Sequence, residues 1–472
     1  MRRRYVLATL KFIKIDPQKM IGVTKKIFKI KMACIIHTNL YDDSILIKMQ
    51  KDLTKKIESG NPQYSKETKT IYVFSVNEQV ESRPCNIPFN YGLQLVAKNN
   101  VQIDRPTRKM LKPMSQPFTG SLRVEQKLCR NQALNSLLTS KSVMISCYTG
   151  FGKTVTAINM ATKIKFKTLI SVPKKALLKQ WETEIATFVP AATVQIIDPS
   201  KISNLEPNTI PDFCIINSCN IHKLPETFRK EYGLVIVDEA HLQMTERLSE
   251  NLLCLTPRYL VGITATPYRE DGYNVLFNLF FGSEKVVYSL NKKHIVYKVK
   301  TGFVPDAKKT MGPNYQSKID WNGILDEQSK DVKRNKIIVD IVLRFKERVF
   351  LILVKRVEHG NYLLKQLEQH GESVTSLLGK QQVFDKGARI LIGTNSKIGT
   401  GFDHPRLDTL LCACDMVAYY IQFIGRVMRR KDVEPVIFDL VDSHPTLVRH
   451  FKNREKVYLK HGGDILKYST NT

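Results

Sequence analysis

The chain has 472 residues, length for two or three domains with real hydrophobic cores, and 43% of them are hydrophobic, a globular rather than a disordered composition. No apolar run is long enough to span a bilayer, which argues against a membrane role. Lysine and arginine number 73 against 44 aspartates and glutamates, so the formal charge is +29, and an excess of that size points to a polyanionic partner, nucleic acid first, although a merely soluble basic protein has the same balance.

The first ten residues, Met-Arg-Arg-Arg-Tyr-Val-Leu-Ala-Thr-Leu, begin like a signal sequence, but Lys11 and Lys14 interrupt the apolar stretch too early. No signal peptide and an intracellular location are expected. The nine cysteines form no C-x-x-C pair and no even ladder, so they read as reduced thiols. Cys412 and Cys414 lie in an apolar run, where small buried hydrophobes are the natural reading.

Residues 1–117 form a first region with strand-like pieces at 26–38 and 70–76 between lysine-rich stretches. Residues 105–117 carry three prolines and several basic side chains and read as a linker, whose charges suit either phosphate contact or a solvated hinge. From residue 118 to 282 apolar strands alternate with amphipathic helices, which predicts an α/β domain, a parallel sheet with helices on both faces. Strands are expected at 143–147, 168–172, 213–217, 234–237 and 259–263. Such sheets bind ligands beyond the carboxyl ends of their strands.

The first of these strands empties into Cys147-Tyr148-Thr149-Gly150-Phe151-Gly152-Lys153-Thr154 and then into a helical pattern. That is a phosphate-binding loop. Its glycines let successive N–H groups converge on one anion, and the next helix adds its positive end. Lys153 would reach the outer phosphates, and the Thr154 hydroxyl would hold Mg²⁺. The full pattern has glycine at the first position, where this chain has Cys147; a small residue still fits.

The strand Leu234-Val-Ile-Val ends in Asp238-Glu239-Ala240-His241. Two acids delivered to a sheet edge are the expected partners of a phosphate loop, Asp238 for Mg²⁺ and Glu239 for the attacking water. An acidic strand end before an ordinary helix is the plainer alternative.

Residues 283–331, mixed and lysine-rich, read as a connection, and a second α/β pattern occupies 332–472. It offers a buried strand at 350–354, a helix at 358–370, a strand at 388–394, another at 435–440 and no phosphate loop. Gln422, Arg426 and Arg429 fall at i, i+4 and i+7, one face of a helix, and two guanidiniums from a lobe without its own nucleotide suit arginine fingers. In the tail from His444, basic and aromatic residues alternate; a packed helix with a frayed end is favoured over a nucleic-acid track.

Taken together these segments resemble the superfamily-two helicases. Leu122 to Gln126 resembles the adenine-reading glutamine motif, with Gln126 as the reader; Val172 to Leu177, with Gln180-Trp181, is similar to motif Ia, which in that family contacts nucleic-acid backbone. Asp238 to His241 looks like motif II, Thr264-Ala265-Thr266 motif III, Thr394 with Gly399 to Asp403 motif V, and Gln422 to Arg429 motif VI. The stretch Arg269-Glu270-Asp271 resembles the XPB-like and phage branch-migration helicases, and the compact second lobe is most like the helicases of large cytoplasmic DNA viruses, iridovirus and poxvirus members included.

The resemblance implies two tandem RecA-like lobes after an N-terminal accessory region, with ATP and Mg²⁺ as cofactors. It implies ATP contacts from Gln126 and the loop from Cys147 to Thr154, and chemistry at Lys153, Asp238, Glu239, Arg426 and Arg429. Pro173, Lys174, Lys175, Thr264, Thr266, Thr394 and Gly401 would contact nucleic acid or couple it to hydrolysis. DNA is favoured over RNA by the resemblance alone, transcription or replication proteins are the further partners it suggests, and a viral source would place the protein in host cytoplasm or virion. The expected function is ATP-driven translocation with strand separation. A translocase without unwinding, acting in transcript release or branch migration, shares every motif, and a binding subunit with a structural ATP site is the third reading. Intact Lys153, Glu239 and Arg429 speak against the last.

Overall fold

A computed structural model describes residues 34–38, 41, 43–59, 67–76, 84–99, 111–202, 205, 210–269, 271–306, 308–311, 317–399, 402, 404–416 and 420–469. Thr400, Gly401, Asp403 and Glu270, like all of 26–33 and 100–110, lie outside them. The chain divides into two compact units, one from residues up to 145 and 154–286, the other from 146–153 and 287–472. Among the described residues no helix is long and apolar enough to cross a membrane.

The first unit is built on a sheet of seven strands: β1 Ser142–Cys147, β2 Thr168–Val172, β3 Val194–Ile196, β4 Phe213–Asn217, β5 Leu234–Val237, β6 Tyr259–Thr264 and β7 Lys285–Tyr288. Their order across the sheet is β7-β1-β6-β5-β2-β4-β3. β5 pairs in parallel with both β6 and β2, and β2 with β4. Strands covered on both faces should be apolar throughout, and β5 is, all four residues being buried. β5 lies between β6 and β2 in parallel pairing, so the Thr264–Thr266 turn, Asp238-Glu239 and Pro173-Lys174 follow one another along one edge.

The N-terminal region is part of this unit's core. A three-stranded antiparallel sheet joins Cys34–His37, Pro84–Ile87 and Ser75–Val76, and Thr54–Ser59 pairs with Glu67–Tyr72. Ile36, Leu53, Ile57, Ile71, Ile87 and Phe89 belong to one hydrophobic cluster with Met144, Leu169, Val235 and Phe277. Asn90 also donates to the Ser142 hydroxyl at the start of β1, at 3.1 Å.

The second unit repeats the plan with β8 His294–Lys300, β9 Phe350–Val354, β10 Val374–Leu377, β11 Ile390–Thr394, β12 Thr409–Cys412, β13 Val436–Val441 and β14 Gly463–Tyr468, in the order β10-β11-β9-β12-β13-β8-β14. All its pairs are parallel. Two strands depart from the sequence reading. β8 comes from 283–331, taken as a connection; its lysines alternate with buried Val296 and Val299, so it reads as polar while half of it is core. The tail forms a packed helix, Pro445–Lys460, with Phe451 and Tyr458 fully buried, but its end is the edge strand β14 rather than a frayed helix.

Candidate nucleotide site

In the loop after β1, Gly150 and Gly152 take φ of 89° and 87°, left-handed values that L side chains resist. Lys153 Nζ donates back to the Cys147 and Tyr148 carbonyls at 3.1 and 3.4 Å, holding the loop as an arch under its own cation. Phe151 is fully buried, its ring 5.4 Å from Tyr148 and 5.3 Å from Tyr288, and Tyr148 N–H donates to the Tyr288 carbonyl at 3.1 Å. Thr149 and Thr154 are half-buried. Helix α1, Lys153–Ile164, starts at the lysine, so its unpaired N–H groups open toward the loop.

Asp238, at the end of β5, is 6% exposed. Its Oδ2 accepts from Trp181 Nε1 at 2.7 Å, and its Oδ1 from the Glu239 N–H at 2.8 Å. Glu239 sits at φ 44° and ψ 52°, a left-handed conformation that costs a non-glycine residue on the order of 1–3 kcal/mol. Strain of that kind persists where surrounding structure aims a side chain. Here it leaves Glu239 Oε2 buried with no hydrogen-bond partner, 3.5 Å from His241 Nδ1.

His241 links motif II to motif III. Its Nδ1 meets the Thr264 hydroxyl at 2.8 Å, and that hydroxyl in turn donates to the Thr266 carbonyl and accepts from the Thr266 N–H at 3.1 and 3.0 Å. Arg269 donates to the His241 carbonyl and pairs with Asp271, so the stretch after motif III is tied to the same turn.

Pro173 and Lys174 are half-buried and Lys175 exposed where β2 passes into α2, Lys175–Phe188. Burial lowers the Lys174 pKa and the charge of Glu239 opposes the shift, which puts this ammonium within electrostatic reach of the proposed catalytic acid. Gln126 lies in the first turn of Val124–Ser140, 5% exposed, and its carbonyl accepts from the Arg123 N–H at 2.8 Å.

In the second unit the motif VI helix, α3, runs Tyr420–Val427. Gln422 and Arg426 share its buried face, but Arg429 lies past its end, contrary to the expected i, i+4, i+7 face. The cause is local: Lys292 Nζ donates to the Met428 and Arg430 carbonyls and satisfies them in place of a continuing helix. The two arginines also differ in use. Arg426 donates to the carbonyls of Gly399, at 2.9 Å, and Phe402, and its guanidinium lies 5.8 Å from the Phe402 ring, so it clamps the motif V turn. Arg429 meets the phosphate loop itself: a Cβ placed on Gly150 would stand 3.3 Å from Arg429 Nε. Burial lowers the Arg429 pKa from the ordinary arginine value. The approach depends on Gly425, where a Cβ would come 2.8 Å from Thr149 Cβ. Thr394, 8% exposed, caps Asn395–Ile398 and meets the Ser396 hydroxyl at 3.2 Å.

The donor set fits a magnesium ion. Asp238 and Thr154 supply hard oxygens, and no group of three or more His, Cys, Asp or Glu that could cage a metal occurs among the described residues. An ion held by one carboxylate and by substrate phosphates needs no more. Sequence reasoning missed Gln243, Tyr288 and Lys292, which act through backbone carbonyls, and placed Trp181 only by its neighbours.

Residues 119–269 match the family described as type III restriction enzyme, res subunit. The chain is 42% identical over 459 residues to protein 161L of Invertebrate iridescent virus 6, named as a helicase, covering 93% of this chain and 100% of that one. It is 63% identical over 280 residues to 109L of Invertebrate iridescent virus 3, also named as a helicase, covering 58% of this chain and 85% of that one. A solved structure of a Saccharomyces cerevisiae Dbp5 variant bound to RNA and ADP BeF3 is similar in fold, with a TM-score of 0.51 and 15% identity over 72% of this chain and 89% of that one.

Proposed function

We propose a division of labour among these residues from one premise: the chain belongs to the superfamily-two helicases of large DNA viruses, the family of the two iridovirus proteins, and is an ATP-dependent helicase with nucleic-acid-dependent ATPase activity. What supports the proposal is one observation, the adjacency of the strand ends β6, β5 and β2, which sets a threonine turn, two acids and a basic turn along one edge.

The arch from Cys147 to Thr154 binds the ATP phosphates with backbone N–H groups, and Lys153 turns from its own carbonyls to the outer phosphates. Gln126 reads the adenine. Thr154 and Asp238 would hold Mg²⁺, which would neutralise charge on the phosphates. Glu239, held in its strained conformation with one oxygen unengaged, orients the attacking water and receives its proton. Arg429, against Gly150, stabilises charge on the transferring phosphoryl group, while Arg426 positions motif V.

Pro173, Lys174 and Lys175 meet the nucleic-acid backbone, and Thr264, Thr266, Thr394 and Gly401 couple that contact to hydrolysis, the first two through His241. DNA is the favoured substrate, and the charge of +29 supplies non-specific affinity for it. The test is ATP turnover with single-stranded DNA, duplex DNA, RNA and no nucleic acid, followed by strand separation on whichever stimulates. Stimulation by RNA alone would replace the DNA assignment, and stimulation without unwinding would leave a translocase.

A further inference from the structure

Trp181 lies in the middle of α2, on the buried stripe of Leu177, Trp181 and Ile185, and is 1% exposed. An indole in such a stripe serves packing whatever its N–H does. Its single donor, however, must find an acceptor once buried, because a buried donor left without one keeps its full desolvation penalty. The acceptor is Asp238 Oδ2, at 2.7 Å, a charge-assisted length.

The backbone at Asp238 is fixed separately. Gln243, fully buried, donates through Nε2 to the Asp238 carbonyl at 2.6 Å and to the Ser171 carbonyl at 2.9 Å, and its Oε1 accepts from the Ser171 hydroxyl at 2.6 Å. The Asp238 N–H donates to the Ser171 carbonyl at 2.9 Å. With the main chain held to β2, what remains to be set is the plane of the carboxylate. The Glu239 N–H fixes one oxygen and Trp181 the other.

We infer that Trp181 is a positioning residue: its indole N–H orients the Asp238 carboxylate for the metal–nucleotide complex and ties that carboxylate to the helix that has Lys174 at its N-cap and Lys175 as its first residue. This rests on the reading of Asp238 as the metal-holding acid. Groups behind a metal ligand typically contribute 10–100-fold to metal affinity. The link has a second consequence, since a shift of α2 under nucleic acid would be felt at Asp238 through one hydrogen bond.

Trp181→Phe keeps the ring and removes the donor. Binding of a fluorescent ADP analogue to the full chain should then need about tenfold more Mg²⁺ for half-saturation, while its affinity in EDTA changes less than twofold. Trp181→His, which restores an N–H, should recover part of the difference. Asp238→Ala separates the two ideas. If it abolishes the Mg²⁺ dependence of binding and Trp181→Phe leaves that dependence at the wild-type value, the positioning role is overturned and Asp238 stands. If it changes nothing, the metal-holding reading fails and the inference with it. A second readout does not rely on the phenylalanine variant folding. The chain has two tryptophans, so in Trp321→Phe the emission is that of Trp181. It should change when Mg²⁺ is added to the ADP-bound protein and not when EDTA replaces it, and emission indifferent to Mg²⁺ would overturn the proposal.

Discussion

The two units share one architecture, a seven-stranded sheet with parallel pairing and helices around it, and use charge in opposite ways. At the carboxyl edge of the first sheet, charged groups are aimed and only partly matched: Glu239 Oε2 lacks a hydrogen-bond partner, and half-buried Lys174 is desolvated more than the opposing Glu239 charge offsets. In the second unit the buried acids are satisfied. Arg454 makes two hydrogen bonds to Asp439, both 2.8 Å, and one to Asp415 at 2.9 Å, with Tyr458 donating to Asp439 and His450 engaging Asp415. Arg334 pairs with Asp442 at 2.9 Å, and Thr301 and Gln328 donate to the same carboxylate. Carboxylates matched at both oxygens lock a structure, whereas partly matched charge at a strand edge is what a ligand can complete.

The contrast predicts where substitution harms chemistry and where it harms folding. Lys153→Ala, in the aimed set, should lower ATP turnover by about 10³-fold or more while nucleic-acid affinity stays within a few fold, because the basic surface is separate from the arch. A folded variant that lost both together would break the comparison at its first term. Arg454→Leu, in the paired set, should cost the second unit about 3–5 kcal/mol, read as an earlier urea midpoint, since Asp439 and Asp415 would be left buried without their cation.

The same variant has an acid signature. Burial raises the Asp415 pKa, but His450 and Arg454 more than offset this and hold it below the ordinary carboxylate value. A depressed folded pKa means a contribution complete above the unfolded value of about 3.9 and lost as pH falls through the folded one. Without Arg454 the folded pKa rises, so acid unfolding of the second unit should begin at higher pH than in the wild type. Coincident acid transitions would show that Asp415 owes its ionisation to something other than Arg454.

Arg429 and Arg426 put the contrast inside one motif. Arg429→Lys keeps the charge and loses the planar fork; ATP binding should stay within a few fold and turnover fall by roughly 10²-fold. Arg426→Lys should instead loosen the motif V turn, since its two acceptors are the Gly399 and Phe402 carbonyls, and so weaken nucleic-acid stimulation more than basal turnover. Near-normal stimulated turnover in Arg429→Lys would return that residue to a solvated basic surface.

What the sequence disclosed follows from how local each signal is. Strands β2, β4, β5 and β9 begin and end where the apolar runs do, because a strand covered on both faces is apolar along most of its length. β8 and β14 were not legible, since Lys298 and Lys300 interrupt the first and Asp464 and Lys467 the second, and only a neighbouring strand makes them strands. The motifs could be placed by spacing, but not the division between Arg426 and Arg429, which turns on Lys292 ending a helix from more than a hundred residues away in sequence. Nor could the left-handed backbone of Glu239 be read, because nothing in an Asp-Glu-Ala-His string requires it.

The smallest expected effect concerns the one place where the phosphate-loop pattern is broken. Glycine is needed at a loop position either for a left-handed φ or for room. Cys147 shows no need of the first: the non-glycine residues with positive φ among those described are Lys141, Lys165 and Glu239. Nor does it show need of the second, since its side chain is fully buried at the end of β1. What Lys153 uses there is the Cys147 carbonyl, at 3.1 Å, which any residue supplies. Cys147→Gly should therefore change ATP turnover by less than about threefold, and its main consequence should be a stability loss of about 0.5–1 kcal/mol from the added backbone freedom in a strand. Turnover measured beside thermal unfolding separates the two terms. A tenfold gain in turnover with unchanged stability would mean that the thiol hinders the phosphates, and that the phosphate loop is less well prepared for its ligand than its geometry indicates.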